Sequence, residues 1–326
     1  MDCRTPEPVP GDLVVKVAYS GICGTDIHML DTGSLPAGCI IGHELSGNIA
    51  AVGEGAEGWR EGDPVVVLPI DPCFTCEPCK AGDVVHCRKV VERSYGLGMR
   101  PGGFSEYMLV RPSMLFRIPD GLDLKTAALN EPLSVAAHGV NRSGFEIGQQ
   151  AVVMGTGPIG LLCIAALKAA GAARIYVSEP DPYRADKARA AGVDLVVDPA
   201  RDSPGPVIHE KAGQIPGYVF DCAGAMTSLD EAAAISGPHG RIIALGIYMG
   251  SASIFPMAWF FKEIQLGFSL GYTCQEFTSS LQLLAQGAVN PEIVISDVMP
   301  LDEIDQAMKL LHGSGHTKIL IDCQGV

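Results

Sequence analysis

Over the first third of the chain, apolar positions fall in short β-rich runs broken by Gly, Pro and Asp. These are DLVVKVAYS from Asp12, LSGNIAAVG from Leu45, PVVVLPI from Pro64 and FSEYMLV from Phe104. No long helical period interrupts them, so an all-β module is predicted from Asp12 to about Val110. Near Lys125 the pattern turns helical in KTAALNEPLSVAAHGV, and from Ala151 onward strand-like and helix-like runs alternate. AVVM, RIYVSE, DLVVD, YVFDC, RIIALG and IQLGFSL read as strands, with helices expected to begin near Pro158, Pro182, Met226 and Cys274. Alternation of this kind predicts a parallel sheet covered by helices, and six strands match a Rossmann-type doubly wound sheet. Beyond about Gly271 a helix, a strand near IVISDVM, a helix near LDEIDQAMKLL and a final strand TKILIDC are expected to return to the first module. The predicted organisation is therefore a β-rich domain from 1–131 and 271–326, with a dinucleotide-binding domain at 132–270. RDSPGP at 201–206 reads as a loose surface loop, and SASIFPMAWFF as an apolar strand that could form a subunit edge.

Composition narrows the function classes. A chain of 326 residues exceeds what one hydrophobic core usually serves, and 47% hydrophobic with 18% charged residues suits a compact protein. A net charge of −14 disfavours nucleic acid and anionic membrane surfaces and leaves a small-molecule partner. The most apolar stretch, 151–170, holds Gly155, Gly157, Pro158 and Gly160, so it reads as strand, turn and helix rather than a membrane span. The opening MDCRTPEPVP is polar and Pro-rich, unlike a secretory leader, and a cytoplasmic location is expected. Eleven cysteines, an odd number, fit a disulfide framework poorly and point to metal ligation.

In AVVMGTGPIG, Gly155, Gly157 and Gly160 have G-x-G-x-x-G spacing directly after a strand and at the mouth of a helix. Such a turn lets the backbone approach a pyrophosphate, with Pro158 and Ile159 opening the helix whose N-terminus faces it. Glu179 ends the next strand, where a carboxylate can accept hydrogen bonds from the ribose hydroxyls and repel a 2′-phosphate. NAD is thus expected over NADP, with Arg184 as a further cofactor-binding candidate.

Cys73, Cys76, Cys79 and Cys87 lie within DPCFTCEPCKAGDVVHC, a lobe at about 71–90, and could close a tetrahedral zinc shell. An iron–sulfur cluster or two disulfides are the competing readings, and His86 is expected to be a bystander. A second, dispersed set comprises Cys23 in GICGTDIH, His43 and Glu44 in GHELSG, and Glu131 in NEPLSVAAHG. A thiolate, an imidazole and a carboxylate would leave one position on a catalytic zinc open.

GHELSGNIAAVGEGA at 42–56 resembles the zinc alcohol dehydrogenase signature at every fixed position. With GICGTDIH, the four-cysteine lobe, NEPLSVAAHG and GTGPIG in order, the chain resembles the zinc-containing medium-chain dehydrogenase superfamily from about Pro6 to its end. Glu131, where other alcohol dehydrogenases carry a Cys, makes it similar to the polyol branch: sorbitol, butanediol and threonine dehydrogenases. The resemblance implies an α/β protein with a GroES-like catalytic domain and a Rossmann domain. It implies two zinc ions per chain, NAD, an alcohol or polyol substrate, and a homodimer or homotetramer. Cys23, His43 and Glu131 match the catalytic ligands, and Glu44 a carboxylate that binds the metal directly or through its water. Thr25 matches the hydroxyl that takes the substrate proton and His28 the imidazole that passes it to solvent. Asp26 matches a carboxylate that orients the ligand His, although a loop aspartate can also simply cap nearby N–H groups. Relatives usually carry further residues ahead of PEPVPGDLVVKV, so either a truncated start or a sheet lacking an edge is expected. Threonine dehydrogenation, carbonyl reduction and a non-catalytic NAD-binding redox sensor are the alternatives. Tyr95, Phe104 and Tyr272 are candidate pocket walls, each more plausible as core.

Overall fold

A computed structural model describes residues 4–325; Cys3, one of the eleven cysteines, lies outside them. The described strands are β1 (Leu13–Gly21), β2 (Glu44–Val52), β3 (Pro64–Val67), β4 (Tyr107–Val110), β5 (Leu115–Arg117), β6 (Gln150–Met154), β7 (Arg174–Ser178), β8 (Leu195–Val197), β9 (Tyr218–Asp221), β10 (Arg241–Ala244), β11 (Gln265–Phe268), β12 (Ile295–Pro300) and β13 (Lys318–Asp322). The helices are α1 (Gly24–Asp31), α2 (Glu77–Lys80), α3 (Val90–Arg93), α4 (Leu124–Ala127), α5 (Asn130–Arg142), α6 (Pro158–Ala169), α7 (Pro182–Ala190), α8 (Pro204–Ala212), α9 (Ser228–Ile235), α10 (Pro256–Lys262), α11 (Cys274–Ala285), α12 (Pro291–Val294) and α13 (Ile304–Leu311).

Two sheets organise the chain. The first runs β12-β13-β1-β2-β3-β5, with β4 also on β1. β1 is its hub, pairing antiparallel with β2, β4 and β13. That is why LVVKVAYSG reads as a nearly continuous apolar run: little of it reaches solvent. The second sheet is all parallel in the order β11-β10-β9-β6-β7-β8. Strand order reverses between β6 and β9, the place where doubly wound sheets open a crevice for ligand. The GroES-like and Rossmann halves foreseen in the sequence are both present, and β12 and β13 do return to the first sheet.

Some local expectations need correction. The β-rich third is not all-β: α1 intervenes after β1, and α2 and α3 punctuate the cysteine lobe. RDSPGP is loop only to Ser203, since Pro204 occupies the first turn of α8, where its missing N–H costs nothing. SASIFPMAWFF is not a strand. Pro256 opens α10, which ends at Glu263 in the left-handed conformation, and the edge strand is the following β11. The helical run near Lys125 divides into α4 and α5. Among the described residues, no helix is long and apolar enough to cross a membrane.

Candidate active site and metal centres

The end of β1 and the start of β2 lie side by side, Gly21 opposite Glu44. The chain leaves β1 through Cys23, which caps α1: its Sγ accepts from Thr25 N at 3.4 Å. Asp26, wholly buried in the first turn, accepts from Cys23 N through Oδ2 at 2.9 Å. Its Oδ1 lies 3.4 Å from Nδ1 of buried His43. Asp26 therefore does both things weighed for it, capping an N–H and facing the imidazole. Ligand atoms of Cys23, His43 and Glu44 all lie within 4.8 Å of one another.

Glu131, at the start of α5, does not join that group. Its Oε1 accepts from Tyr272 Oη at 2.9 Å, and burial, with Glu44 adding repulsion, pushes its carboxyl up to about 7 despite nearby His43. Burial disfavours the His43 imidazolium, yet Asp26 and Cys23 outweigh it and hold the His43 pKa well above the usual range. Buried acids and a thiol concentrated around one imidazole, whose Nδ1 is turned to Asp26, are a donor set suited to a divalent cation.

Thr25 and His28 lie three residues apart on α1, hence on neighbouring positions of one helix face, both partly buried. Among the described residues no hydrogen bond joins their side chains. Tyr95 and Phe104 are core residues of the first sheet's cluster. Tyr272 is buried too, but its hydroxyl reaches Glu131.

Sequence reasoning missed Lys318. This β13 lysine is 2% exposed, and its Nζ donates to Glu44 Oε2 at 2.6 Å, Glu44 Oε1 at 2.8 Å and the Ile22 carbonyl at 2.7 Å.

In the lobe, the sulphurs of Cys73, Cys76, Cys79 and Cys87 lie within 4.8 Å of one another, Cys73 and Cys79 at 3.9 Å. Tetrahedral thiolates about 2.3 Å from one zinc stand about 3.8 Å apart, whereas a disulfide needs about 2.05 Å. The thiols are free, and the set is too tight to enclose a cluster whose irons each take one thiolate. Hydrogen bonds from Thr75 and Cys76 lower Cys73 to about 5, while burial and neighbouring sulphurs push Cys79 up to about 12. Four crowded thiols cannot all ionise alone, and a divalent cation removes that conflict. His86 turns away to Asp83, 2.8 Å off.

At the second sheet, Gly155 follows β6 at φ 78°, a conformation that favours glycine, and a Cβ there would lie 2.9 Å from Ala223. A Cβ on Gly160 would collide with the Gly155 carbonyl, whereas one on Gly157 would meet nothing within 4 Å. Gly157 caps α6 without any side-chain bond, Pro158 and Ile159 form the first turn, and the helix mouth stays open to a pyrophosphate. Glu179 is buried rather than solvated. Its Oε2 accepts from Thr156 N at 2.5 Å and Thr156 Oγ1 at 3.0 Å, and its Oε1 from Asp181 N at 2.9 Å. It thus sets the shape of the glycine turn, a role the spacing did not reveal. Arg184 is nearby: its carbonyl accepts from Thr156 Oγ1, and its Nε is buried without a partner.

Comparison with known proteins agrees with this architecture. Residues 9–120 match the alcohol dehydrogenase GroES-like domain and residues 158–286 the zinc-binding dehydrogenase family. The chain is 36% identical to a 2-dehydro-3-deoxy-L-galactonate 5-dehydrogenase of Pseudoalteromonas atlantica, covering 97% of this chain and 93% of that one. It is 33% identical to a probable D-xylulose reductase A of Aspergillus fumigatus, covering 96% and 89%. Among solved structures it resembles 2R,3R-butanediol dehydrogenase from Bacillus subtilis, with TM-score 0.90, 32% identity and coverage of 99% and 95%. It also resembles an alcohol dehydrogenase from E. coli CFT073 complexed with NADH, with TM-score 0.89, 28% identity and coverage of 98% and 94%. A zinc-binding dehydrogenase from Sinorhizobium meliloti bound to NADP gives TM-score 0.87, 31% identity and coverage of 97% and 93%. The chain belongs to the zinc-binding dehydrogenase family, and it is an oxidoreductase of the alcohol dehydrogenase type.

Proposed function

We propose that the protein interconverts a secondary alcohol or polyol and its ketone using NAD, with one zinc at Cys23, His43 and Glu44 and a second in the Cys73–Cys76–Cys79–Cys87 lobe. The observation that carries this reading is the convergence of Cys23, His43 and Glu44 ligand atoms within 4.8 Å, backed by buried Asp26. When bound, zinc supplies Lewis acidity that lowers the pKa of an alcohol hydroxyl, and the nicotinamide supplies a hydride acceptor. Asp26 orients the imidazole through its Nδ1 side, leaving the other nitrogen for the metal. Thr25 relays the hydroxyl proton, accepting it as it releases its own toward His28, which passes it to solvent. Glu131, steadied by Tyr272, adds a further carboxylate beside the set rather than the third ligand of the family pattern.

The polyol class draws support from the sugar-acid and xylulose relatives, and from Glu131 at its position. Glu179, with Pro180 rather than a basic residue after it, favours NAD, although related folds bind NADH and NADP. Gly155, Gly157, Pro158, Ile159, Gly160, Glu179 and Arg184 form the cofactor seat in this reading. The catalytic domain takes 1–131 and 271–326, with the zinc lobe at about 71–90, and the NAD domain takes 132–270, in keeping with the sheet to which each strand belongs. Four free lobe thiols suit the reducing cytoplasm. A homodimer or homotetramer is proposed, with the exposed β11 edge as its contact.

Metal analysis of the native protein should find two zinc ions per chain and His43→Ala should retain one. His43→Ala should lose turnover roughly 10³-fold on a panel of butane-2,3-diol, xylitol, sorbitol and threonine. NAD titration by fluorescence should be little changed. Near-native turnover by the variant would refute the reading, and preferential oxidation of threonine would redirect the substrate class.

A further inference from the structure

Lys318 has no part in the chemistry described above, yet it is buried where an ammonium is costly to place. Its neighbours along β13, Ile319, Leu320 and Ile321, are wholly buried and apolar, so the strand's packing does not call for a cation. A buried lysine is tolerated where its charge is paired and its protons are used, and here its partners are Glu44 of the metal set and the carbonyl next to Cys23. It holds both oxygens of Glu44, itself 1% exposed, and the carbonyl of Ile22, the residue before Cys23. The carboxylate also has a shaped seat. Gly21 faces it across the β1–β2 pair, and a Cβ at Gly21 would collide with Glu44 Oε2. The room and the fork of hydrogen bonds together fix where Glu44 points.

We propose that Lys318 is a positioning residue of the metal site, a resident cation that competes with the metal for the Glu44 carboxylate. It thereby keeps Glu44 a weak ligand and leaves a coordination position for substrate. The inference rests on reading Cys23, His43 and Glu44 as the metal set. A carboxylate whose two oxygens already accept charge-assisted hydrogen bonds has less electron density to give a metal ion. An ammonium and a dication sharing that carboxylate also repel one another, and more strongly in a buried site than in water. Both effects act in one direction: removing the ammonium tightens the metal's hold. A lysine that merely braced three strands would have the opposite signature, since its loss would loosen the site and let the metal go faster.

The test loads full-length native protein and the variants K318M, K318R, E44Q and K318M/E44Q with Co(II), whose visible d–d bands report its coordination. Release of the ion to dipicolinate is then followed, with cobalt in the cysteine lobe as a background common to all. K318M should release cobalt about ten-fold more slowly than native protein, with displaced d–d bands, and K318R should stay close to native. K318M/E44Q should release it no faster than E44Q, and the slowing should be smaller than in the native background, because the lysine acts mainly through the carboxylate. Release from K318M at or above the native rate, or unmoved bands, overturns the proposal. Should K318M fail to fold, the comparison of E44Q with K318M/E44Q, which buries neither charge, decides: release from the double variant at or below the E44Q rate sustains the proposal and faster release overturns it. If His43→Ala takes up as much cobalt as native protein, the underlying metal reading fails and the proposal with it. If His43→Ala loses one ion while K318M releases at the native rate, only the role of Lys318 falls.

Discussion

At the residue scale, Gly157 and Gly160 share one motif but answer to different constraints. Gly160 is required by the chain itself, because a methyl there would strike the Gly155 carbonyl where α6 packs against the turn. Gly157 borders open space, so whatever needs its missing side chain lies outside the chain. Gly160→Ala should therefore destabilise the fold by roughly 1–3 kcal/mol, as overpacking does. Gly157→Ala should melt like native protein but bind NAD about ten-fold more weakly. Melting curves paired with a cofactor titration separate the two, and a matching loss of stability in both variants would contradict this division. Spacing found both glycines but could not assign them, since the difference lies in what surrounds each one. Lys318 was hidden for a related reason. In TKILID it reads as an ordinary polar position at a strand start, and its partner Glu44 is 274 residues away.

At the scale of elements, Glu276 shows how one helix positions another. It is the third residue of α11, where it completes a capping box with Thr273. Its Oε2 also accepts from His138 Nδ1 at 2.8 Å and its Oε1 from Asn141 Nδ2 at 2.9 Å, both on α5. Because Glu131 lies in the first turn of α5 and Tyr272 precedes the Thr273 cap of α11, this clamp sets the separation across which Tyr272 reaches Glu131. Burial alone would raise the Glu276 pKa, but the bonds from His138, Asn141 and Thr273 outweigh it and lower it from 4.5 to about 2. A depressed carboxyl contributes stability that is complete above its unfolded pKa and is lost as pH falls toward the folded one. Thermal stability should thus decline between about pH 4.5 and 2, and Glu276→Gln should flatten that limb of a melting-temperature profile while costing about 1 kcal/mol at neutral pH. An unchanged acid limb in the variant would show that the clamp contributes nothing. Periodicity located α5 and α11 well, because both are amphipathic elements packed on one side. It misread α10, whose aromatic run suits a strand as well as a helix, and only Pro256 at its first turn and Glu263 in the left-handed conformation mark the helix ends.

For the molecule as a whole, alternation of strand and helix was legible because each parallel strand of the second sheet needs its own crossover, and all six strands of that sheet were foreseen. The catalytic arrangement was less legible, since the sheet that gathers Cys23, Glu44 and Lys318 joins the two ends of the chain through the β1–β13 pairing. What the fold leaves open is its edge. Among the described residues β11 pairs with β10 alone, and Leu266 and Phe268 are exposed on it. Phe260 and Phe261 at the end of α10 are each 75% exposed, and Leu270 beyond the strand is 64% exposed. An apolar strand edge is a template for pairing, and proteins ordinarily blunt one with charge, a bulge or a cover. This one carries no charged residue between Gln265 and Leu270. A second copy presenting the same edge antiparallel about a two-fold axis would satisfy the free backbone groups and cover the aromatic cluster on both chains at once. None of the proposed zinc ligands lies on β11, so breaking the contact should separate assembly from metal content. Light scattering after size exclusion should find native protein as a dimer or a multiple of one. Leu266→Lys combined with Phe268→Lys places four like charges across the pairing and should yield monomers that still hold two zinc ions. A native protein that runs as a monomer, or a doubly charged variant that keeps its native mass, would show that the β11 edge is not where copies meet.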